Sequence, residues 1–313
     1  MPRVLVTGLS GFIGRPTARF FLASGFEVVG VGRRARPDWL DERVQWLSAD
    51  LRDQAAIKGL VRSVSPTHCL HLAWDIEQGA YWRAPTNLVW MQLSLELLAA
   101  FVDVGGKRFV GGGTCAEYDW SYGYLSERLT PRNPRTPFGR CKNALFEALM
   151  AYSDMTGLSA AWARIFFLYG PGEARTRLFP HVIFNLLAGR AAQTSNGTQV
   201  RDFLYVDDVA AALVALVASD VSGAINIGSG EPIAVRAIAE KIGAMLGRSD
   251  LLKIGARAQQ EGEPPLVVAD VRRLREELGF MPRFNLDAGL AAMIDDCRGL
   301  VASGGPAEYV DAG

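Results

Sequence analysis

Val4-Leu5-Val6-Thr7-Gly8-Leu9-Ser10-Gly11-Phe12-Ile13-Gly14 is the stretch on which the fold turns. Arg3 to Val6 read as a buried strand of a parallel sheet, which is apolar throughout because both its faces are covered. Gly8, Gly11 and Gly14 follow at intervals of three, and an apolar helix runs through Phe12, Ile13, Phe20, Phe21 and Leu22. A glycine at 8 lets the chain turn sharply, one at 11 lets the backbone approach a pyrophosphate, and one at 14 lets the helix lie close on the strand. The helix N-terminus adds free N–H groups and a partial positive charge. A second strand, Glu27 to Val31, comes soon after Gly25, so the chain opens as a βαβ unit. The expectation is a nicotinamide-dinucleotide site on Gly8, Ser10, Gly11, Phe12, Ile13 and Gly14. The bland alternative is a plain strand–helix turn.

With 313 residues the chain can bury a large core, as one large domain or two unequal ones. Lysine plus arginine and aspartate plus glutamate both number 33, so no basic surplus points to nucleic acid or an anionic membrane. No apolar run reaches the length of a membrane span, and the first strand begins too early to leave room for a signal peptide. Cys69, Cys115, Cys141 and Cys297 lack metal-type spacing and fit a reducing cytoplasm better than a disulfide framework. No metal site is expected.

Gly32-Arg33-Arg34 follows the second strand, where an NAD-specific site places an acid for the ribose 2′-hydroxyl. Arginines there suit the 2′-phosphate of NADP, so NADP is the expected cofactor and NAD the second choice; a solvated basic loop is the other reading. Val44 to Leu47 reads as a third strand ending at Asp50-Leu51-Arg52-Asp53. An acid there can accept from an adenine amine or cap the helix starting near Gln54. Cys69 to Ala73 is a fourth strand, with Leu72 and the small Ala73 at its end beside the cofactor. His71 reads as a satisfied core histidine. Leu88 to Val102 is a long apolar helix, Arg108 to Val110 a fifth strand, Phe138 to Tyr152 a helix and Ala160 to Phe166 a sixth strand. Helices are expected at Asp207 to Ala218, Ile238 to Leu246 and Asp287 to Leu300, with a short strand at Ala224 to Ile227. Gln259 to Pro265 reads as a polar loop, and the tail after Ser303 as frayed. The sum is an α/β fold, a doubly wound parallel (Rossmann) sheet with a smaller C-terminal substrate-binding lobe. Residues 1–166 form the Rossmann domain, with 203–228 returning to it; 167–202 and 229–313 form the lobe.

These residues together carry a signature. The chain resembles the extended short-chain dehydrogenase/reductases, in particular the nucleotide-sugar epimerase, dehydratase and ketoreductase group. The likeness rests on Thr7-Gly8-x-x-Gly11-x-x-Gly14, Asp50-Leu51, His71-Leu72-Ala73, Thr114 with Tyr118, Lys142, and Arg164 before Tyr169-Gly170-Pro171-Gly172. It continues through Arg201-Asp202-Phe203, Val206-Asp207-Asp208-Val209, Asn226 to Gly230, and Leu278-Gly279-Phe280 with Pro282. The resemblance implies a site in which a tyrosine four residues before the lysine trades a proton with the sugar while hydride moves to or from the nicotinamide. Lysine holds the nicotinamide ribose and lowers the tyrosine pKa from about 10. A Ser or Thr at the end of the fifth strand bonds the same oxygen.

Lys142 and Thr114 match that pattern, but the tyrosine position is Phe138, which keeps the ring and drops the proton-transferring atom. Three explanations compete: an engineered exchange that traps a complex, a natural variant using another acid, or a binding protein that has lost catalysis. Tyr118, Tyr122, Tyr124, Cys115, Cys141 and His181 are the candidate replacement acids. His181 also reads as a helix-start histidine near the substrate pocket. Cys115-Ala116 lacks the acid pair of sugar-nucleotide 4,6-dehydratases, and Phe167 stands where relatives often have Asn. Tyr169, His181 and Arg201, with Thr114, are the expected substrate contacts. Arg201 suits the diphosphate; its other reading is an ion pair with Asp202 or Asp207. The expected function is a cytoplasmic 4-ketoreductase of deoxysugar biosynthesis acting on a nucleotide-diphospho-sugar. The alternatives are an epimerase retaining NAD and a catalytically silent NADP-binding regulator. The two long apolar helices imply a homodimer.

Overall fold

The computed structural model describes residues 1–76, 80–258 and 262–303. The expected frayed tail after residue 303, and residues 259–261 of the expected polar loop, lie outside the described residues. Seven strands form the main sheet: β1 (Arg3–Thr7), β2 (Glu27–Gly32), β3 (Gln45–Ser48), β4 (His68–His71), β5 (Arg108–Thr114), β6 (Ser159–Ile165) and β7 (Gly223–Ile227). Their order is β7-β6-β5-β4-β1-β2-β3, and every pairing is parallel. This is the doubly wound sheet that the alternation of strands and helices predicts. Parallel strands must be buried on both faces, and β1 (Val4, Leu5, Val6) is fully so.

Helices α1 (Gly14–Ala23), α2 (Gln54–Val64), α3 (Thr86–Asp103) and α4 (Pro137–Thr156) connect the first strands. Further on lie α5 (Leu178–Leu187), α6 (Val206–Val217), α7 (Val235–Met245) and α8 (Leu286–Ala302). One face of the sheet packs under α1 and α6, with Phe21, Val209 and Leu213 in its core. The other packs under α2, α3 and α4, with Ile57, Leu97 and Leu145. A third core, around Phe179, Ile238 and Met293, belongs to α5, α7 and α8.

Two features depart from the sequence reading. β5 continues through Gly111-Gly112-Gly113 to Thr114 instead of stopping at Val110. The glycines leave room for Trp162 of β6: a Cβ on Gly111 would stand 2.2 Å from its ring, and one on Gly113 2.1 Å from its Nε1. The C-terminal lobe also carries strands of its own. Val200–Tyr205 pairs with Pro232–Ala234, Leu266–Ala269 and Phe167–Tyr169, and Leu266–Ala269 also pairs with Tyr124–Leu125. No helix among the described residues is long and apolar enough to cross a membrane.

The turn after β1 is held by contact. Gly8 has φ +74°, and a Cβ there would stand 2.8 Å from the Ala73 nitrogen, while a Cβ on Gly14 would lie 2.1 Å from the Gly8 carbonyl oxygen. Gly14→Ala is therefore expected to cost about 1–3 kcal/mol, as for overpacking elsewhere. Urea unfolding measures it; an unmoved midpoint would refute the close-approach account.

Candidate functional site

The C-terminal ends of β1 to β5 meet on one edge of the sheet, where open parallel sheets hold ligands. Gly8 to Gly14 forms the turn at its centre. Ser10 is exposed and Gly11, Phe12 and Ile13 are half-buried. Leu72 and Ala73 extend β4 beside the turn, and the Ala73 N–H donates to Thr7 Oγ1 at 3.2 Å. Arg33 and Arg34 are exposed at the end of β2. Leu51 is buried under α2, and Asp50 before it is gripped by Arg52, with Nη2 2.7 Å from Oδ2. That bond, and the nearby Arg33 charge, hold its carboxyl below the usual range. Asp53 is the cap of α2, accepting from the Ala55 and Ala56 N–H groups. His71 is buried with both ring nitrogens partnered, by Thr7 Oγ1 and Ser94 Oγ, each at 2.7 Å. Burial, helped by the Lys142 charge, pulls it down to about 3.

Beyond β5 the chain turns through Cys115–Glu117, and Thr114 caps the turn. Thr114 Oγ1 accepts from the Ala116 N–H, and the Thr114 N–H donates to Glu117 Oε1 at 2.8 Å. Thr114-x-x-Glu117 is a capping box, a signal present in the sequence and unread there. α4 packs on this turn: a Cβ on Gly139 would lie 2.4 Å from the Ala116 carbonyl oxygen.

Two residues of α4 face the site. Lys142 is 4% exposed; its Nζ donates to the Gly112 carbonyl at 2.7 Å and lies 3.9 Å from the Trp74 ring centroid. Desolvation pulls the ammonium down to about 7. Phe138, one turn earlier, sits edge-on to Tyr81, Trp82 and Trp74, with centroids 5.0, 5.6 and 6.2 Å away. Trp74, Tyr81 and Trp82 went unread because nothing local in the sequence distinguishes them from core aromatics.

The lobe side contributes charge. Tyr81 bonds to Arg177, which also lies near Glu173. Glu173 is buried, with Oε2 lacking a hydrogen-bond partner, and burial pushes its carboxyl up to about 8. Gly172 lies against Phe12 of the turn.

The remaining expected residues are spread out. Tyr169 stacks on Phe179 at 4.4 Å in the lobe core, its hydroxyl directed at the Leu286 carbonyl. His181 Nε2 faces the Gln193 carbonyl at 3.1 Å. Arg201 is 3% exposed and pairs with Glu263 at 2.8 Å, within electrostatic reach of Cys115. Asp202 instead accepts from the Ser229, Gly230 and Ala269 N–H groups, and Asp207 pairs with Arg19. Of the candidate acids, Tyr118 is buried on Asn226 Oδ1, Tyr122 and Tyr124 are exposed, and burial raises the Cys115 thiol to about 12 and raises the Cys141 thiol as well. Among the described residues no group of three His, Cys, Asp or Glu side chains is placed to hold a metal.

The residues fit a dinucleotide at its phosphates, where the glycine turn brings bare backbone to the surface. They also offer Lys142 as a cation, provided the Trp74 ring gives way.

The sequence profile of the NAD-dependent epimerase/dehydratase family matches residues 4–228. A UDP-glucose 4-epimerase of Rhizobium meliloti is 28% identical over 311 residues, 91% of this chain and 94% of that protein. A dTDP-6-deoxy-L-talose 4-dehydrogenase (NAD(+)) of Aggregatibacter actinomycetemcomitans is 26% identical over 245 residues, 76% of this chain and 88% of its own. Among solved structures, the Thermus thermophilus UDP-glucose 4-epimerase complexed with NAD superposes with a TM-score of 0.81 at 25% identity, covering 95% of this chain and 99% of its own.

The Lys142 ammonium drops from its ordinary 10.5 to about 7 on folding. Between those values the unfolded chain binds the extra proton, so the penalty for burying the charge is full below about pH 7 and fades as pH rises. Lys142→Met is expected to be more stable than the parent at about pH 6 and to lose that advantage by about pH 10. Denaturant unfolding of both proteins across that range measures it; a pH-independent difference would contradict the desolvation.

Proposed function

The chain belongs to the NAD-dependent epimerase/dehydratase family, and from that premise we propose that it is a nucleotide-diphospho-sugar oxidoreductase, a 4-ketoreductase of deoxysugar formation. One observation carries the reading. The buried Lys142 cation lies on the backbone of β5, two residues before the Thr114 hydroxyl, on the same sheet edge as the glycine turn. Gly8, Ser10, Gly11, Phe12, Ile13 and Gly14 would hold the dinucleotide phosphates, with Asp50, Leu51, Leu72 and Ala73 alongside. Arg33 and Arg34 favour the 2′-phosphate, hence NADP. The nicotinamide, when bound, accepts and donates hydride.

Thr114 would orient a sugar hydroxyl or ketone, since its Oγ1 accepts from the Ala116 N–H and its hydroxyl can donate. His181 would line the nucleotide side in the lobe formed by 167–202 and 229–313, while the buried Tyr169 and Arg201 would back that wall from the lobe core and from the Glu263 ion pair. Phe138 holds the wall of the site but moves no proton, so turnover is slow.

A second reading, a catalytically silent NADP-binding regulator, is favoured by Trp74. Its ring covers the Lys142 ammonium and packs edge-on to Phe138, filling the place where chemistry needs room. Restoring the hydroxyl separates the two. Phe138→Tyr is expected to raise turnover of a nucleoside-diphospho-4-ketosugar with NADPH by about 10²–10⁴-fold, the usual worth of general acid help. A steady-state assay reads it, and no gain would favour the regulator. Tightly retained NAD in the purified protein would instead assign the epimerase function of the Rhizobium relative.

The homodimer is part of the same proposal. α3 exposes Leu88 and Leu95, two turns apart on one face, beside α4. Leu88→Glu with Leu95→Glu is expected to leave a folded monomer in sedimentation velocity, where the parent sediments as a dimer.

A further inference from the structure

A cleft of ≈ 420 Å³ opens between the segment Glu127 to Arg132, α4 and the turn at Arg273. It shares no lining residue with the glycine turn or with Thr114, Phe138 and Lys142. Four guanidinium groups line it, on Arg128, Arg132, Arg164 and Arg273, against a single carboxyl, Glu127. That carboxyl is already used, accepting from the Asn226 N–H at 2.8 Å, and burial biases it towards its neutral form. The acids that pair with these arginines, Glu117, Glu147 and Glu277, stand outside the lining, so the wall of the cleft presents guanidinium donors while the ion pairs around it balance their charge.

Arg164 supplies the second observation. It is 1% exposed; its Nε donates to Glu117 Oε2 and its Nη1 to the Tyr118 hydroxyl, while Nη2 is buried with no partner. A buried donor left unpaired is costly, and an acceptor in the cleft would relieve it. The Phe146 ring lies beside this guanidinium and that of Arg132, with its centroid 4.8 and 5.1 Å from them, giving the cleft an apolar wall next to its donors. Guanidinium forks match the oxygens of a phosphate group. A bare oxyanion would leave most of the volume empty, whereas a ligand with an organic part would fill it.

We propose that this cleft binds a small phosphomonoester. Its phosphate is received by Arg164 and Arg132, with Arg128 and Arg273 around it, and its organic part lies along Phe146. The proposal is independent of the ketoreductase reading.

Isothermal titration of the full chain with glucose 1-phosphate and with inorganic phosphate tests it. The comparison protein carries Arg128→Met and Arg132→Met, both on the surface loop. The glycine turn takes phosphate equally in the two proteins, so their difference reports the cleft. The parent is expected to bind glucose 1-phosphate at least about tenfold more tightly than the double variant, and more tightly than inorganic phosphate. Equal affinity in the two proteins, or no binding by the parent, overturns the site. Equal affinity of the parent for both probes overturns the ester. If the double variant melts early, Arg132→Lys keeps the charge and removes the fork, and a smaller loss of ester affinity is then expected.

Discussion

The carboxylate of Glu117 is shut away from water, and the site is arranged around what that demands. Its Oε1 accepts from the Thr114 N–H and from Trp162 Nε1, and its Oε2 from Arg164 Nε. A buried charge persists only when it is paired and hydrogen-bonded, and losing one partner leaves the other stranded. These bonds pull the turn after β5 against β6. They aim Thr114 at the sheet edge and set the Ala116 carbonyl as the seat for α4, so Lys142 and Phe138 inherit their positions from it. Arg164 passes the constraint on through the Tyr118 hydroxyl to Asn226 of β7, whose side-chain amide donates to the Leu125 and Asp270 carbonyls.

Much of this was legible in the sequence, for physical reasons that differ by element. Parallel strands announce themselves by continuous apolar runs, and the glycine turn by spacing that a close backbone approach requires. Lys142 and Thr114 stood out through the family resemblance and not through any local pattern. The lobe strands could not be placed. Phe167–Tyr169 and Pro232–Ala234 are three residues long, and each pairs with Val200–Tyr205 through residues 30 or more positions apart in sequence. The glycines of β5 looked like a loop because their justification, Trp162, lies on the neighbouring strand. For the acids after β3 the sequence left two roles open; the structure gives Asp53 to the helix and Asp50 to Arg52.

Position 138 shows the limit of reading a residue by its place in a motif. The sequence reveals a missing hydroxyl. It does not reveal that Trp74, Tyr81 and Trp82 surround the ring, or that the same Trp74 shields the Lys142 ammonium. Burial keeps that cation from water, which is why its proton is held weakly, while the indole face and the Glu117 charge offset part of that loss. Glu173 has the opposite bias, a carboxyl favouring its neutral form. Two groups with displaced pKa values near one sheet edge are what proton-handling sites have in common.

The placement of β7 has a consequence for how the protein is made. Its five residues, Gly223–Ile227, come after α5, Val200–Tyr205 and α6, yet they complete the sheet beside β6. As the chain leaves the ribosome, β6 therefore waits with one row of backbone donors and acceptors bare while some sixty further residues are translated. An open strand edge invites pairing with the wrong chain. The nascent protein is most vulnerable in that interval, and truncation anywhere inside it leaves a sticky six-stranded sheet instead of a smaller folded domain.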